Sequence, residues 1–438
     1  MPRRATISLV VVLGLAVANA GSASPAQAAA KGYQGTVRLT IADLQDFWAE
    51  TLPDVYGIEY ERIPPSKIIP YTSRSKVPQC GPRRATYRDL AGNAFYCSGR
   101  GFVAYDDENL FPLLDEKWGD FTIAITLAHE WGHAIQDQTD ITGDAIYLEL
   151  QADCFAGAWV GWVDTGNSNR LFLRPGNLDT SLGGFLDFRD PPGSDPTADN
   201  AHGSAFDRVG AFQDGYEGGA QACADYADVL PTVVEIPFTS EQEAATRGDV
   251  PFEDVFPITF DDLEKYWALL LSDFTPVANV RLVDPRGSLP RCGTTRITRA
   301  DIQDTIFYCI PDNEIVSDEN LLLTVYDNSG DFGVAVLIAE EWAVAIQHQY
   351  DEQGSEKALA LERVCLAGSW AGSVVRGDHN PAGLTLSSGD LDEAVQSYLI
   401  FAAPVKRNDT TTPTAFENVA AFRSGFFDGE PACFALVE

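Results

Sequence analysis

Eight cysteines fall in two sets of four with nearly the same spacing, which restricts the chain to a fold that can be built twice. Cys80, Cys97, Cys154 and Cys223 are separated by 17, 57 and 69 residues; Cys292, Cys309, Cys365 and Cys433 are separated by 17, 56 and 68. Other segments recur in step. Leu39 to Trp48 (LTIADLQDFW) answers Ile258 to Trp267 (ITFDDLEKYW), Phe95-Tyr96-Cys97 answers Phe307-Tyr308-Cys309, and Gly119-Asp120-Phe121 answers Gly330-Asp331-Phe332. Ser204-Ala205-Phe206-Asp207 answers Thr414-Ala415-Phe416-Glu417, and each quartet fits a helix N-cap with an acid three residues on. At 438 residues the chain exceeds one ordinary core. The expectation is two homologous domains, 31–239 and 252–438, joined by a polar linker over 240–251.

The first thirty residues read as a secretory signal peptide: Arg3 and Arg4, a short apolar run from Ile7 to Ala18, then small residues. Cleavage is expected in the cluster Ala28 to Ala30, with Ala20 as an alternative end. No later stretch reads as a membrane span, so the mature protein is expected to be secreted. An oxidising compartment turns each cysteine set into two disulfides. Of the three connectivities open to each set, Cys80–Cys97 with Cys154–Cys223 and Cys292–Cys309 with Cys365–Cys433 are preferred, because they keep the first loop short. The formal charge of −34 repels phosphate backbones and anionic lipid, so no nucleic-acid partner is expected. The sequence sets no oligomeric state.

Periodicity gives both repeats the same elements. An amphipathic helix carries Ile41, Leu44, Phe47, Trp48 and Leu52, and short strands are expected near 67–72 and 94–105, the latter turning at Ser98-Gly99-Arg100-Gly101. Helices follow over 121–138 and 144–164, then a loop through 190–200 and a helix from Ser204. The fold class is α+β, mostly helical with a small sheet in each domain.

On the helix over 121–138, His129-Glu130-Trp131-Gly132-His133 places two imidazoles four residues apart on one face. This is a zinc pattern, with Glu130 next to the first ligand as the base for a water on the metal. Zinc with two histidines needs a third protein ligand and an open position. Glu149 and Asp153 lie four apart on the next helix, Glu149 as third ligand and Asp153 as acceptor for a ligand imidazole. The repeat supports this choice. The second copy reads Glu340-Glu341-Trp342-Ala343-Val344; Glu149 is replaced by Ala360 and Asp153 by Val364, while Cys154 persists as Cys365. His202, replaced by Thr412, is a candidate donor to a developing oxyanion, and Arg208, replaced by Asn418, is a weaker candidate. Trp131 and Gln136 persist as Trp342 and Gln347, so they read as scaffold. His348 and His379 lack partners at metal spacing and read as surface residues.

The ordered motifs Ala128-His129-Glu130-Trp131-Gly132-His133, Leu148-Glu149-Leu150-Gln151-Ala152-Asp153-Cys154-Phe155-Ala156-Gly157, Phe95-Tyr96-Cys97 and His202-Gly203-Ser204 span roughly Gln34 to Tyr226. Over this stretch the chain resembles the bacterial neutral zinc metallopeptidase family. The resemblance implies zincin-like domains and a peptidase with His129, His133 and Glu149 on one zinc per chain. It supplies no substrate beyond a peptide or protein, and the motif-less second copy departs from the family's pattern. The expected activity is hydrolysis of peptide bonds, with Glu130 passing a proton from water to the leaving amine and the strand over 94–105 pairing with an extended peptide. The second copy reads as a pseudo-enzyme. The competing expectation is a non-proteolytic binding protein that keeps a vestigial or structural zinc.

Overall fold

The computed structural model describes residues 32–234, 236–380, 383–401 and 411–437; the expected signal peptide lies outside them. The chain divides into two compact units after Val234. The expected linker is not free-standing. It carries a short helix, Glu241–Thr246, and its end belongs to the second unit, where Val250 N donates to Asp331 Oδ2 at 2.8 Å and Tyr326 Oη donates to Val250 O at 2.7 Å.

The first unit is mostly helical around a three-stranded sheet. Phe102–Asp106 is the central strand, paired parallel with Ile68–Tyr71 and antiparallel with Ala94–Cys97. The hairpin between Cys97 and Phe102 turns through Gly101, whose φ of 59° suits glycine. Both hairpin strands are buried at every residue, because Phe95 and Phe102 pack with Tyr71 and Leu90 on one face while helices cover the other. The opening helix, Gln34–Tyr56, and the motif helix, Asp120–Gln138, fall where periodicity puts them. So do the carboxylate helix, Ala145–Asp164, and the closing helix, Ala205–Ala224, which starts at Ser204 with its hydroxyl accepting from Asp207 N. Further helices were not expected, among them Leu110–Trp118 and a wall helix, Asn177–Phe188.

The carboxylate and closing helices cross with backbone against backbone. A Cβ on Gly157 would lie 1.9 Å from Phe212 O, and one on Gly215 would lie 1.8 Å from Cys154 O, so both positions require glycine. The Cys154–Cys223 disulfide ties the same two helices, and Cys80–Cys97 closes the loop before the hairpin.

The second unit has the same sheet order, with Glu314–Asp318 between Val280–Val283 and Ile306–Cys309. Its disulfides are Cys292–Cys309 and Cys365–Cys433. Gly368 and Gly425 repeat the close approach, a Cβ there falling 2.0 Å from Phe422 O and 1.8 Å from Cys365 O. The sequence expectation about membrane spans needs correcting here. Glu319–Gln349 and Glu356–Arg376 are long and apolar enough to cross a membrane by length and composition. In this fold the first is broken at Gly330 (φ 76°), and much of each apolar window is buried inside the unit, with Trp342 and Trp370 fully enclosed. His379 is a second correction. Its side chain is only 1% exposed, with Nε2 2.7 Å from Asp262 Oδ1 and Nδ1 2.7 Å from Ser373 Oγ. Asp262 also accepts from Trp370 Nε1, as Asp43 accepts from Trp159 Nε1 in the first unit, so His379 serves a core anchor. His348 is exposed as expected.

Candidate metal centre

One helical turn separates His129 from His133, so both imidazoles leave the same face of the motif helix, with ring centroids 4.8 Å apart. The carboxylate helix packs alongside because Gly132 lets it in: a Cβ there would meet Ala152 Cα at 2.8 Å. That approach brings Glu149 between the two rings. Glu149 Oε2 is 3.2 Å from His129 Nε2, and Oε1 is 3.5 Å from His133 Nε2. One ligand atom from each of the three residues falls within 4.8 Å of the others.

The far nitrogen of each ring is held separately. His129 Nδ1 donates to Asp153 Oδ1 at 2.7 Å, and His133 Nδ1 donates to Gln136 Oε1 at 2.9 Å. With both Nδ1 atoms acting as donors, each ring turns its Nε2 toward the site, the nitrogen a metal would take in place of a proton. Asp153 is in turn gripped by Arg208, with Nε at 2.7 Å from Oδ2 and Nη2 at 3.0 Å from Oδ1; both side chains are almost fully buried. Arg208, only a weak candidate from the sequence, fixes the carboxylate that fixes His129. Gln136, read as scaffold, has two roles. Its Nε2 donates to Leu148 O, as Gln347 donates to Leu359 O in the second unit, while its Oε1 orients His133. Persistence in both copies conceals the second role.

The electrostatics ask for a cation. Burial pushes the His129 imidazole down, but Asp153 and Glu149 outweigh it and hold its pKa up at about 10. Burial works against ionised Glu149, yet His133 and His129 hold its carboxyl well below the usual range. Glu130, 3% exposed, is pushed up by burial against the pull of His129 and His133 and a backbone hydrogen bond from Tyr96. Its Oε2, like His133 Nε2, is a buried polar atom with no hydrogen-bond partner among the described residues. Two imidazole nitrogens, one carboxylate and unsatisfied atoms beside them are the donor set of a three-ligand zinc site, and these residues fit that ion.

His202 reaches the same cavity from the start of the closing helix. Asp190 positions it by accepting from the backbone N–H groups of His202 and Gly203 at 2.6 and 2.9 Å, with Nδ1 at 3.4 Å from Oδ1. This leaves Nε2 buried and without a hydrogen-bond partner among the described residues. Asp190 carried no sequence signal beyond its place before Pro191-Pro192. The wall helix adds Ser181, Phe185 and Phe188 to the cavity lining, residues the sequence did not single out.

In the second unit Val344, Ala360 and Val364 stand where His133, Glu149 and Asp153 stand in the first, and none can bind a metal. Glu340 and Glu341 remain, and burial pushes their carboxyls up to about 7 and about 8.

The chain is 24% identical over 201 residues to Uncharacterized protein YpfJ of Escherichia coli (strain K12), an alignment covering 39% of this chain and 66% of that protein. It is 31% identical over 101 residues to Uncharacterized protein Rv2575 of Mycobacterium tuberculosis (strain ATCC 25618 / H37Rv), covering 20% of this chain and 32% of that protein. The same figures hold for Uncharacterized protein Mb2605 of Mycobacterium bovis. The chain thus spans just under two thirds of the first relative and about a third of the others. No family model matches the chain, and no solved structure matches it.

Proposed function

We propose that the protein is a secreted zinc peptidase that works through its first unit, a zincin-like domain of the neutral zinc metallopeptidase kind, with the second unit a copy that has lost the chemistry. The observation that carries this reading is the arrangement of His129, His133 and Glu149 with Glu130 buried beside them. The four disulfides support an oxidising, extracellular setting. Three protein ligands leave a coordination position open, whereas structural zinc sites are closed by four. This disfavours the non-catalytic binding protein.

His129, His133 and Glu149 would hold zinc, which when bound supplies Lewis-acid polarisation of a water and a peptide carbonyl. Glu130 takes the proton from the attacking water and delivers it to the departing amine. Its burial, which raises its proton affinity, suits a group that must hold that proton between the two steps. With a proton on both ring nitrogens, His202 would donate from Nδ1 to Asp190 and from Nε2 to the carbonyl oxygen as it gains charge. The expected pairing of a substrate peptide with the strand over 94–105 is not part of this reading, because both of its strands are buried at every residue and Tyr96 N–H already serves Glu130.

The test compares zinc content and peptide cleavage in wild type and Glu130→Gln. One zinc in each, with turnover reduced at least roughly 10²-fold in the variant, is the expected result. Equal turnover in both, or zinc retained with no cleavage of any peptide by wild type, would overturn the peptidase reading.

A further inference from the structure

The cavity beside the candidate centre encloses about 560 Å³ of non-atom space, part of it open to solvent, and most of its wall is apolar. Ile125 and Thr126 line it from the motif helix, one turn back from His129 and Glu130. Leu110 enters from the preceding helix, and Phe185 and Phe188 from the wall helix. The wall helix lies hard against the motif helix, since a Cβ on Gly184 would come within 2.8 Å of Thr122 Cγ2. The pocket is therefore built by close packing and opens directly beside the reacting groups.

The charged lining is already committed. Among the described residues Arg208 is the one arginine or lysine in the lining, and it donates from Nε and Nη2 to Asp153 and from Nη1 to Phe188 O at 2.8 Å. Among the described residues no lining arginine or lysine is left to grip a chain-terminal carboxylate. Resting on the peptidase reading, we propose that this pocket selects a medium or large apolar side chain next to the scissile bond, within an internal stretch of peptide. The enzyme is then an endopeptidase with an apolar preference, and Thr126 and Phe188 set the depth of its pocket. Both are half-buried, so each can change size without rebuilding the core.

The test is equilibrium binding to full-length, zinc-loaded Glu130→Gln protein, which does not need turnover. The probes are N-acetylated, C-amidated glycine pentapeptides whose central residue is Leu, Phe, Ala, Asp or Lys. Leu and Phe peptides should bind roughly 10- to 100-fold tighter than the Ala peptide, and the Asp and Lys peptides weaker still. Adding Thr126→Phe should abolish that advantage and leave the Ala peptide unchanged; Phe188→Ala, which enlarges the pocket, should favour Phe over Leu. Equal binding of all five peptides, or selectivity indifferent to both variants, overturns the proposal. So does a gain of tenfold or more when the C-terminal amide is replaced by a free carboxylate. Cleavage by wild type is scored separately. Unselective cleavage sinks the pocket and spares the peptidase reading, whereas apolar-selective binding without cleavage supports the pocket and sinks that reading.

Discussion

Asp153 and Arg208 form a buried pair that the second unit replaces with Val364 and Asn418, and this suggests a double-mutant cycle written by the chain itself. Their side chains are 1% and 6% exposed, and Asp153 also receives His129 Nδ1. Asp153→Val leaves a guanidinium buried with only Phe188 O to accept from it. Arg208→Asn leaves a carboxylate buried with only the imidazole. Each single change should cost the first unit ~3–5 kcal/mol, because an uncompensated buried charge is far dearer than a missing pair. The double change removes both charges and should cost less than either single one, giving a coupling of at least ~3 kcal/mol. Urea unfolding of the full chain in chelator, following the transition that moves with the substitutions, measures this free of metal linkage. Zinc competition on the same proteins should show affinity down roughly 10- to 100-fold wherever Asp153 is absent, since His129 has lost its acceptor. If the two single costs add to within ~0.5 kcal/mol, the pair is not acting as a unit and the argument from its geometry fails.

The buried acids of the second unit set a pH dependence. Glu340 and Glu341 are raised to about 7 and about 8, so the folded unit binds protons that the unfolded chain has released. Their contribution to stability is full below about pH 4, falls as pH rises by at most about 1.4 kcal/mol per unit and per group, and levels off above about pH 8. Asp331, Glu362 and Asp390 are raised too and keep a residual slope, so a Glu340→Gln, Glu341→Gln variant whose urea midpoint drops between pH 5 and pH 8 as steeply as wild type would refute the assignment. Gly157→Ala would push a methyl into Phe212 O, and should cost the first unit ~1–3 kcal/mol or more. Calorimetry should find its transition lowered by several degrees, with Gly368→Ala doing the same to the second unit; an unchanged Tm would mean that the helices are free to separate.

Much of the frame was legible because its signals are local or repeated. Periodicity placed the opening, motif and carboxylate helices, the Ser204 cap marked the closing helix, and the doubled cysteine spacing led to the four disulfides. His129, His133, Glu149 and Asp153 were readable from spacing on two helices together with their joint loss from the second copy. The wall helix was not read: its sequence, NLDTSLGGFLDF, has two adjacent glycines that weaken any helix signal, and their value lies in tertiary contact with Trp118 and Thr122. Asp190 and the second role of Gln136 depend on who their neighbours are in space, which spacing along the chain does not encode. His379 misled because a histidine without metal partners can still be buried by a single carboxylate. The apolar second-unit helices, which the sequence reading passed over, owe their composition to a core.

The glycine crossing of the carboxylate and closing helices has a consequence for how the protein is made. The second unit reaches the same sheet order, the same disulfides and the same helix contact with valine and alanine where the ligands would be. The architecture therefore does not draw on metal for its folding free energy, unlike small domains that are unfolded without their ion. In the proposed reading, a chain built this way can fold and oxidise outside the cell before it meets zinc. In the proposed reading, loading is then the last step of maturation, and scarcity of the ion would leave a folded, dormant protein rather than one marked for degradation.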